Sequence, residues 1–343
     1  MVRKLFFICE TIRVTLTVRW HLSAIPAFAA LITPGMAGAT TIIVDSAGSG
    51  QATGIQVGIS LATTGDTVRV LSGTTGVYNE AVVLNQDIAL ECEGPDLVNI
   101  HNNSGDTITI NTNRTVTIRG CTITGAGAGI IIGQSANADI ANNVLWGNAK
   151  GISRHLPTTG NTLTVPIGTV VIRNNVITGS SGKGIDLPTP NNFNTNCANP
   201  GDVSKVVINN IIYNNVQCGA DLCTTSGGVL DVEYNDSIGN TPNYCDNTNA
   251  GPGALSVAPG FMNEVTGDFR LSVSSTIRNS GKPGYNDPDG TRNDLGAYGG
   301  PDSADFFPSP EGGPTIRTMS LSPSSVPKNG TVTLQATGQV AVP

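Results

Sequence analysis

Between residues 116 and 221, short apolar strands alternate with asparagine-rich bends in one recurring phrase. Val116-Thr-Ile-Arg-Gly-Cys-Thr-Ile123 is answered by Ala138-Asp-Ile-Ala-Asn-Asn-Val-Leu145, Val170-Val-Ile-Arg-Asn-Asn-Val-Ile177 and Val206-Val-Ile-Asn-Asn-Ile-Ile-Tyr213. Three of the four lead through a glycine into a further strand: Gly151-Ile152-Ser153, Gly184-Ile185-Asp186-Leu187 and Gly219-Ala220-Asp221-Leu222. Equating Ile118, Ile140, Ile172 and Ile208 gives steps of 22, 32 and 36 residues. A short period with longer outliers is the mark of a solenoid with loops inserted at one corner.

One such phrase has too little apolar surface to offset the entropy of ordering it, so it must stack on its copies. Stacking places each strand about 4.8 Å from its equivalent and sends alternate side chains into and out of the bore. Val and Ile fill the bore. The same alignment superposes Asn142, Asn174 and Asn210, predicting a ladder of amides at one bend, where Asn tolerates the left-handed conformation. The fold class is all-β.

At the start, Thr41-Ile-Ile-Val-Asp45 reads as a strand, while Ile55, Val57, Ile59 and Leu61 fit either a strand or a helix. Residues 228–240 make a fifth, degenerate turn. From Ser303 to residue 315 Pro and Gly dominate, as in a linker. Residues 316–343 alternate like one or two strands, and Ser-Val-Pro-Lys-Asn-Gly-Thr-Val-Thr-Leu334 reads as part of an immunoglobulin-like segment.

These features together resemble the secreted right-handed parallel β-helix proteins of pectate-lyase-like architecture. That resemblance implies an N-terminal helix capping the bore, with Gly65-Asp-Thr-Val-Arg-Val70 and Gly76-Val-Tyr-Asn-Glu80 as its opening. The closing string Asp287-Pro-Asp-Gly-Thr-Arg-Asn-Asp-Leu-Gly-Ala-Tyr298 is similar to the terminal segment of choice-of-anchor Q proteins, bacterial surface or secreted β-helices. The implied β-helix covers residues 40–302. A fold does not fix a reaction. The motifs expected of pectin methylesterases, polygalacturonases and the best-known pectate lyases are missing from the sequence.

Charge narrows the partners. Residues 1–39 carry Arg3, Lys4, Arg13 and Arg19 against Glu10, a contribution of +3 to the formal −7, so the remainder carries −10. An acidic body with 13% charged residues argues against nucleic acid, which needs clustered Lys and Arg. Leu22 to Thr33 is an apolar run before small residues, read as a secretory signal over 1–39 that is too short to span a membrane. The mature chain is therefore expected outside the cell or at its surface, not membrane-spanning, with a polysaccharide or cell-surface component as partner.

Seven cysteines become six without Cys9, and an even count in an exported chain points to disulfides. Cys92 and Cys121 fall on neighbouring turns; Cys197, Cys218, Cys223 and Cys245 leave three pairings open. Zinc is disfavoured because Cys-x-x-Cys is absent.

The repeat itself creates one candidate site. Ile185 and Leu187 point inward, so Asp186 points out, with Asp221 in the same place one turn on. Two carboxylates about 5 Å apart raise each other's pKa unless a cation lies between them. They would form an acid/base pair with Lys183, or a Ca²⁺ site, the one cofactor the sequence suggests. Arg154, His155 and Arg173 are the nearby candidates for binding an acidic sugar. Asp287, Asp289 and Asp294 resemble a calcium loop but lack its closing Glu, where Tyr298 stands, which favours a structural role. Two functions follow: a non-catalytic module displaying an extended face to polysaccharide or a partner, or a polysaccharide lyase or glycoside hydrolase using Asp186 and Asp221.

Overall fold

The computed structural model describes residues 12–16, 38–155, 168–187, 204–222, 229–245, 248–307, 314–322 and 332–340. Gly38–Phe307 form one compact unit. In it, three parallel sheets of eight, seven and seven strands build a right-handed parallel β-helix. The first sheet starts with Thr41–Val44 and then takes one strand from each of seven coils: Thr67–Val70, Ala89–Cys92, Thr115–Arg119, Asn137–Ala141, Thr169–Arg173, Ser204–Ile208 and Val229–Glu233. Each coil, numbered 1 to 7 in that order, continues through the second and third sheets. In coil 4, for example, these strands are Val144–Trp146 and Lys150–Arg154.

Stacking aligns a continuous inner file of Val68, Leu90, Ile118, Ile140, Ile172, Val207 and Val232. Each is buried. This corrects the sequence register at one point: Val207, not Ile208, stands beside Ile172, and Ile208 stands beside Arg173. The Asn-Asn pair sets the register and the apolar triplet follows it.

The ladder is likewise shifted. Its rungs are Asn143, Asn175, Asn210 and Asn235, one residue beyond the expected Asn142 and Asn174. Asn210 Oδ1 accepts from Asn175 N at 2.9 Å, and Asn210 Nδ2 donates to Asn235 Oδ1 at 2.9 Å and to Ile172 O at 2.8 Å. A second ladder at the next corner joins Asn215 to Asn240, with Asn215 Oδ1 accepting from Ser180 N. Asn142, Asn174 and Asn209 are the left-handed residues, with φ of 56°, 50° and 59°. They turn their side chains outward to a closing segment that runs back along this corner. Asn142 Nδ2 donates to Ala297 O and Gly299 O, Asn174 Nδ2 to Asn293 Oδ1 and Asp294 O, and Asn209 Oδ1 accepts from Lys282 N. Phe269, Ile277 and Leu295 of that segment bury Val144, Val176 and Ile211 of the second sheet.

At the other end, helix α1 (Ile55–Leu61) closes the bore with Ile55 and Ile59. The motif Gly76-Val-Tyr-Asn-Glu80 has a structural task. Glu80 accepts from Ile55 N and Gln56 N at 2.8 and 2.9 Å, capping the helix, and the Tyr78 hydroxyl donates to Leu71 O. Asp66 accepts from Thr40 N and Thr63 N, which hold its carboxyl well below the usual range.

Disulfides tie neighbouring coils: Cys92–Cys121 joins coils 2 and 3, as expected, and Cys218–Cys245 joins coils 6 and 7. Cys197 and Cys223 lie outside the described residues. The expected linker start falls within this unit: Asp305 pairs with Arg69 and Phe306 packs by Gly94 and Gly120. In the other unit, Pro314–Ser322 and Val332–Val340 pair antiparallel, and Ile12–Leu16 pairs with Val332–Val340.

Replacing Asn210 by Ala strips partners from Asn175 N–H, Asn235 Oδ1 and two carbonyls in a dry corner. Urea unfolding is expected to show a loss of about 3 kcal/mol, the cost of stranding buried polar groups. A loss within experimental error would mean that the ladder does not hold the coils.

Candidate functional site

The outer face of the third sheet carries one file: Val83, Thr109, Ile131, Ser153, Asp186, Asp221 and Cys245. The strand Ile185–Asp186 is placed by inward Ile185, and Ala220–Asp221 by inward Ala220, so both carboxylates leave the bore on the same side. The intervening residues 156–167, 188–203 and 223–228 all lead from the third sheet back to the first, at one corner of the coil. They lie outside the described residues.

The juxtaposition of Asp186 and Asp221 is as expected, but both are buried, at 6% and 1% exposure. Lys183 lies between them. Its Nζ donates to Asp186 Oδ1 at 2.9 Å and to Asp221 Oδ2 at 2.5 Å. Lys150, from the preceding coil, donates to the other oxygen of Asp186. The cation that two adjacent carboxylates demand is thus an ammonium of the chain itself. Burial works against the Asp186 charge, but the hydrogen bonds and charges of Lys150 and Lys183 outweigh it and hold the carboxyl below its ordinary value. Burial opposes the Lys183 charge too, and Asp221 and Asp186 overcome it, raising that group.

The other candidates do not join this cluster. Arg154 stands at the level of inward Ile132 and is buried, whereas His155 is exposed one residue further on. Arg173 is on the first sheet, where it binds Asp139 through Nε at 3.1 Å and Nη2 at 2.8 Å, and Asp302 through Nη1. It ties the closing segment to coils 4 and 5.

Asp287, Asp289 and Asp294 likewise turn to their own backbone. Asp287 accepts from Gly300 N and Asp294 N, Asp289 from Thr291 N and its hydroxyl, and Asp294 from Asn279 N. Burial pushes Asp287 up to about 6, against the two N–H groups it accepts. Burial also raises Asp294, while the Thr291 hydroxyl lowers Asp289. Among the described residues, no three or more His, Cys, Asp or Glu side chains gather to hold a metal ion.

Sequence reasoning missed two cations. Lys150 stands two residues before inward Ile152, yet its side chain is 42% exposed and reaches Asp186 on the next coil, which strand alternation does not announce. Lys205 takes the level of Val170 and is 1% exposed, with Nζ donating to Leu187 O and Leu222 O at 2.8 Å each. Those carbonyls end the third-sheet strands before the inserted loops, so Lys205 closes a gap in the ladder. Reading the phrase from the Asn pair backwards would have exposed it as a lysine on an inward position. Comparison with known proteins finds no matching family model and no similar curated protein.

The network has a defined pH window. A lowered Asp186 pKa contributes stability above the ordinary carboxylate value of 3.8 that is lost as pH falls through it. A raised Lys183 pKa contributes stability below 10.5 that is lost at higher pH. Lys183→Met should therefore cost about 2 kcal/mol near neutrality, less than a fully buried pair because the ammonium keeps solvent contact. Thermal unfolding at pH 7 and at successively lower pH below 3.8 should show that loss shrinking as Asp186 takes up its proton; a loss that stays constant with pH would exclude the charge-sharing account.

Proposed function

We propose that this chain is a secreted or cell-surface β-helix module that binds polysaccharide on an extended face without cleaving it. The observation that carries this reading is the internal neutralisation of Asp186 and Asp221 by Lys183 and Lys150. A general acid must hold its proton near neutrality and a general base needs a pKa raised toward it. Asp186 is shifted the other way. A metal-assisted lyase would need carboxylates open to a cation, and here an ammonium bridges them.

Coil-to-coil bridges Cys92–Cys121 and Cys218–Cys245 support an oxidising compartment. No helix among the described residues is long and apolar enough to cross a membrane. Stacked strands at a pitch of about 4.8 Å offer a flat, repetitive surface of a kind that suits a repetitive ligand.

Purified protein incubated with polygalacturonate, alginate and neutral glycans, with and without Ca²⁺, is expected to yield neither absorbance near 235 nm, about the range where unsaturated uronates absorb, nor new reducing ends. Product formation that disappears in an Asp186→Asn, Asp221→Asn double variant would replace this reading with the lyase or hydrolase alternative.

A further inference from the structure

The outer face of the second sheet is divided by the closing segment. Over coils 4 to 6 that segment buries Val144, Val176 and Ile211. Over coils 1 to 3, by contrast, outward residues of this sheet stay at least partly open: Val77 and Asn79, Asn99 and His101, Thr122 and Thr124. None is Asp, Glu, Lys or Arg. Where the open field meets the closing segment stands Trp146, 36% exposed, on the next strand of the same file as Thr124.

The field is pre-ordered by contacts between its own side chains. His101 Nδ1 lies 2.8 Å from Thr124 Oγ1, which donates to Asn99 Oδ1 at 3.0 Å, and His101 Nε2 lies 2.7 Å from Asn103 Oδ1. Side chain to side chain bonds are the rarest class in a folded chain, and a partly buried chain of them across two coils adds little to a solenoid already held by its ladders. Trp146 is fixed as well. Its ring packs edge-on to Phe269 at 5.5 Å, and Gly267, with φ of 82°, sits so close that a Cβ there would come within 2.9 Å of Cζ3. The antiparallel pair Phe261–Asn263 and Asp268–Leu271 holds one side of the indole and Gly179 lies along its Cδ1 edge, which leaves the residue 36% exposed.

We propose that this stripe, His101–Thr124–Trp146 with Asn99 and Asn103, binds an uncharged polysaccharide. Fixed hydroxyl, amide and imidazole groups meet sugar hydroxyls at little entropic cost, and the open side of a held indole meets the apolar face of a sugar ring. Charge decides the ligand class. The field holds no Lys or Arg to pair with a uronate, and the −10 carried by residues beyond 39 opposes a polyanion. The inference rests on the reading of the chain as a non-catalytic polysaccharide-binding module, which it narrows to one face and one class of sugar.

The test is affinity electrophoresis of the full chain in gels containing galactomannan, β-glucan, dextran or polygalacturonate. Trp20→Phe serves as the background, since Trp20 and Trp146 are the two tryptophans and emission then reports Trp146 alone. The expected result is retardation by at least one neutral polymer with a shift of Trp146 emission, and an affinity at least about tenfold weaker in His101→Ala, Thr124→Ala, equivalent to about 1.4 kcal/mol. If that double variant loses its fold by circular dichroism, Thr124→Val keeps the shape, removes the hydroxyl and must show the same direction of change. Neutral-polymer binding that these variants leave intact would overturn the proposal. Retention by polygalacturonate alone, abolished in Lys150→Ala, would also overturn it while keeping the module reading on the third sheet. Retention by none of the four would remove both.

Discussion

The structure depends on a single constraint: every coil must meet the one before it in register, since parallel strands satisfy their backbone groups only through their neighbours. The buried amides of Asn143, Asn175, Asn210 and Asn235 enforce that match at the tightest corner. The side chains of Asn143, Asn175 and Asn210 each bond backbone of their own coil and of the coil before, and the amide oxygen of the next Asn in the coil after, so a slip of one residue would strand several polar atoms at once. Hydrophobic filling of the bore is permissive by comparison. Val207 serves as well as Ile172, and even Lys205 is tolerated where two strand-end carbonyls await a donor.

That hierarchy explains which parts of the molecule were legible in the sequence. Coils, bends and the inward or outward sense of Asp186 follow from periodicity, because stacking copies one local rule many times. The fourth phrase was misregistered because Val206-Val-Ile208 and Val170-Val-Ile172 look alike as strands. Only the position of the Asn pair separates them, through the left-handed φ of Asn174 and Asn209. The candidate site was half legible. Stacking brings Asp186 beside Asp221, but nothing linear says that Lys150, 36 residues from Asp186, reaches the same carboxyl. Arg154, a charged side chain buried at the level of inward Ile132, likewise takes a place that no repeat encodes.

Charges on this protein are handled locally. Asp186 and Asp221 share Lys183, Arg173 holds Asp139 and Asp302, and Arg119 holds Glu91. Consecutive coils bring like positions together, so a solenoid concentrates repulsion whenever a charged residue repeats. The remedy is an opposite charge from an adjacent level, and this lowers the demand for external ions. It also leaves the field around His101, without Asp, Glu, Lys or Arg, as a surface of different character, bordered by an aromatic step.

The closing segment has a mechanical consequence. Repetitive folds whose units touch only nearest neighbours can fray from either end, one unit at a time. Here Asn142, Asn174 and Asn209, on three successive coils, are clamped by one stretch of chain from Lys282 to Gly299. Peeling any one of those coils requires releasing a brace shared by all three, so this part of the rod should open as a block and resist a pull along its axis better than its unbraced first coils.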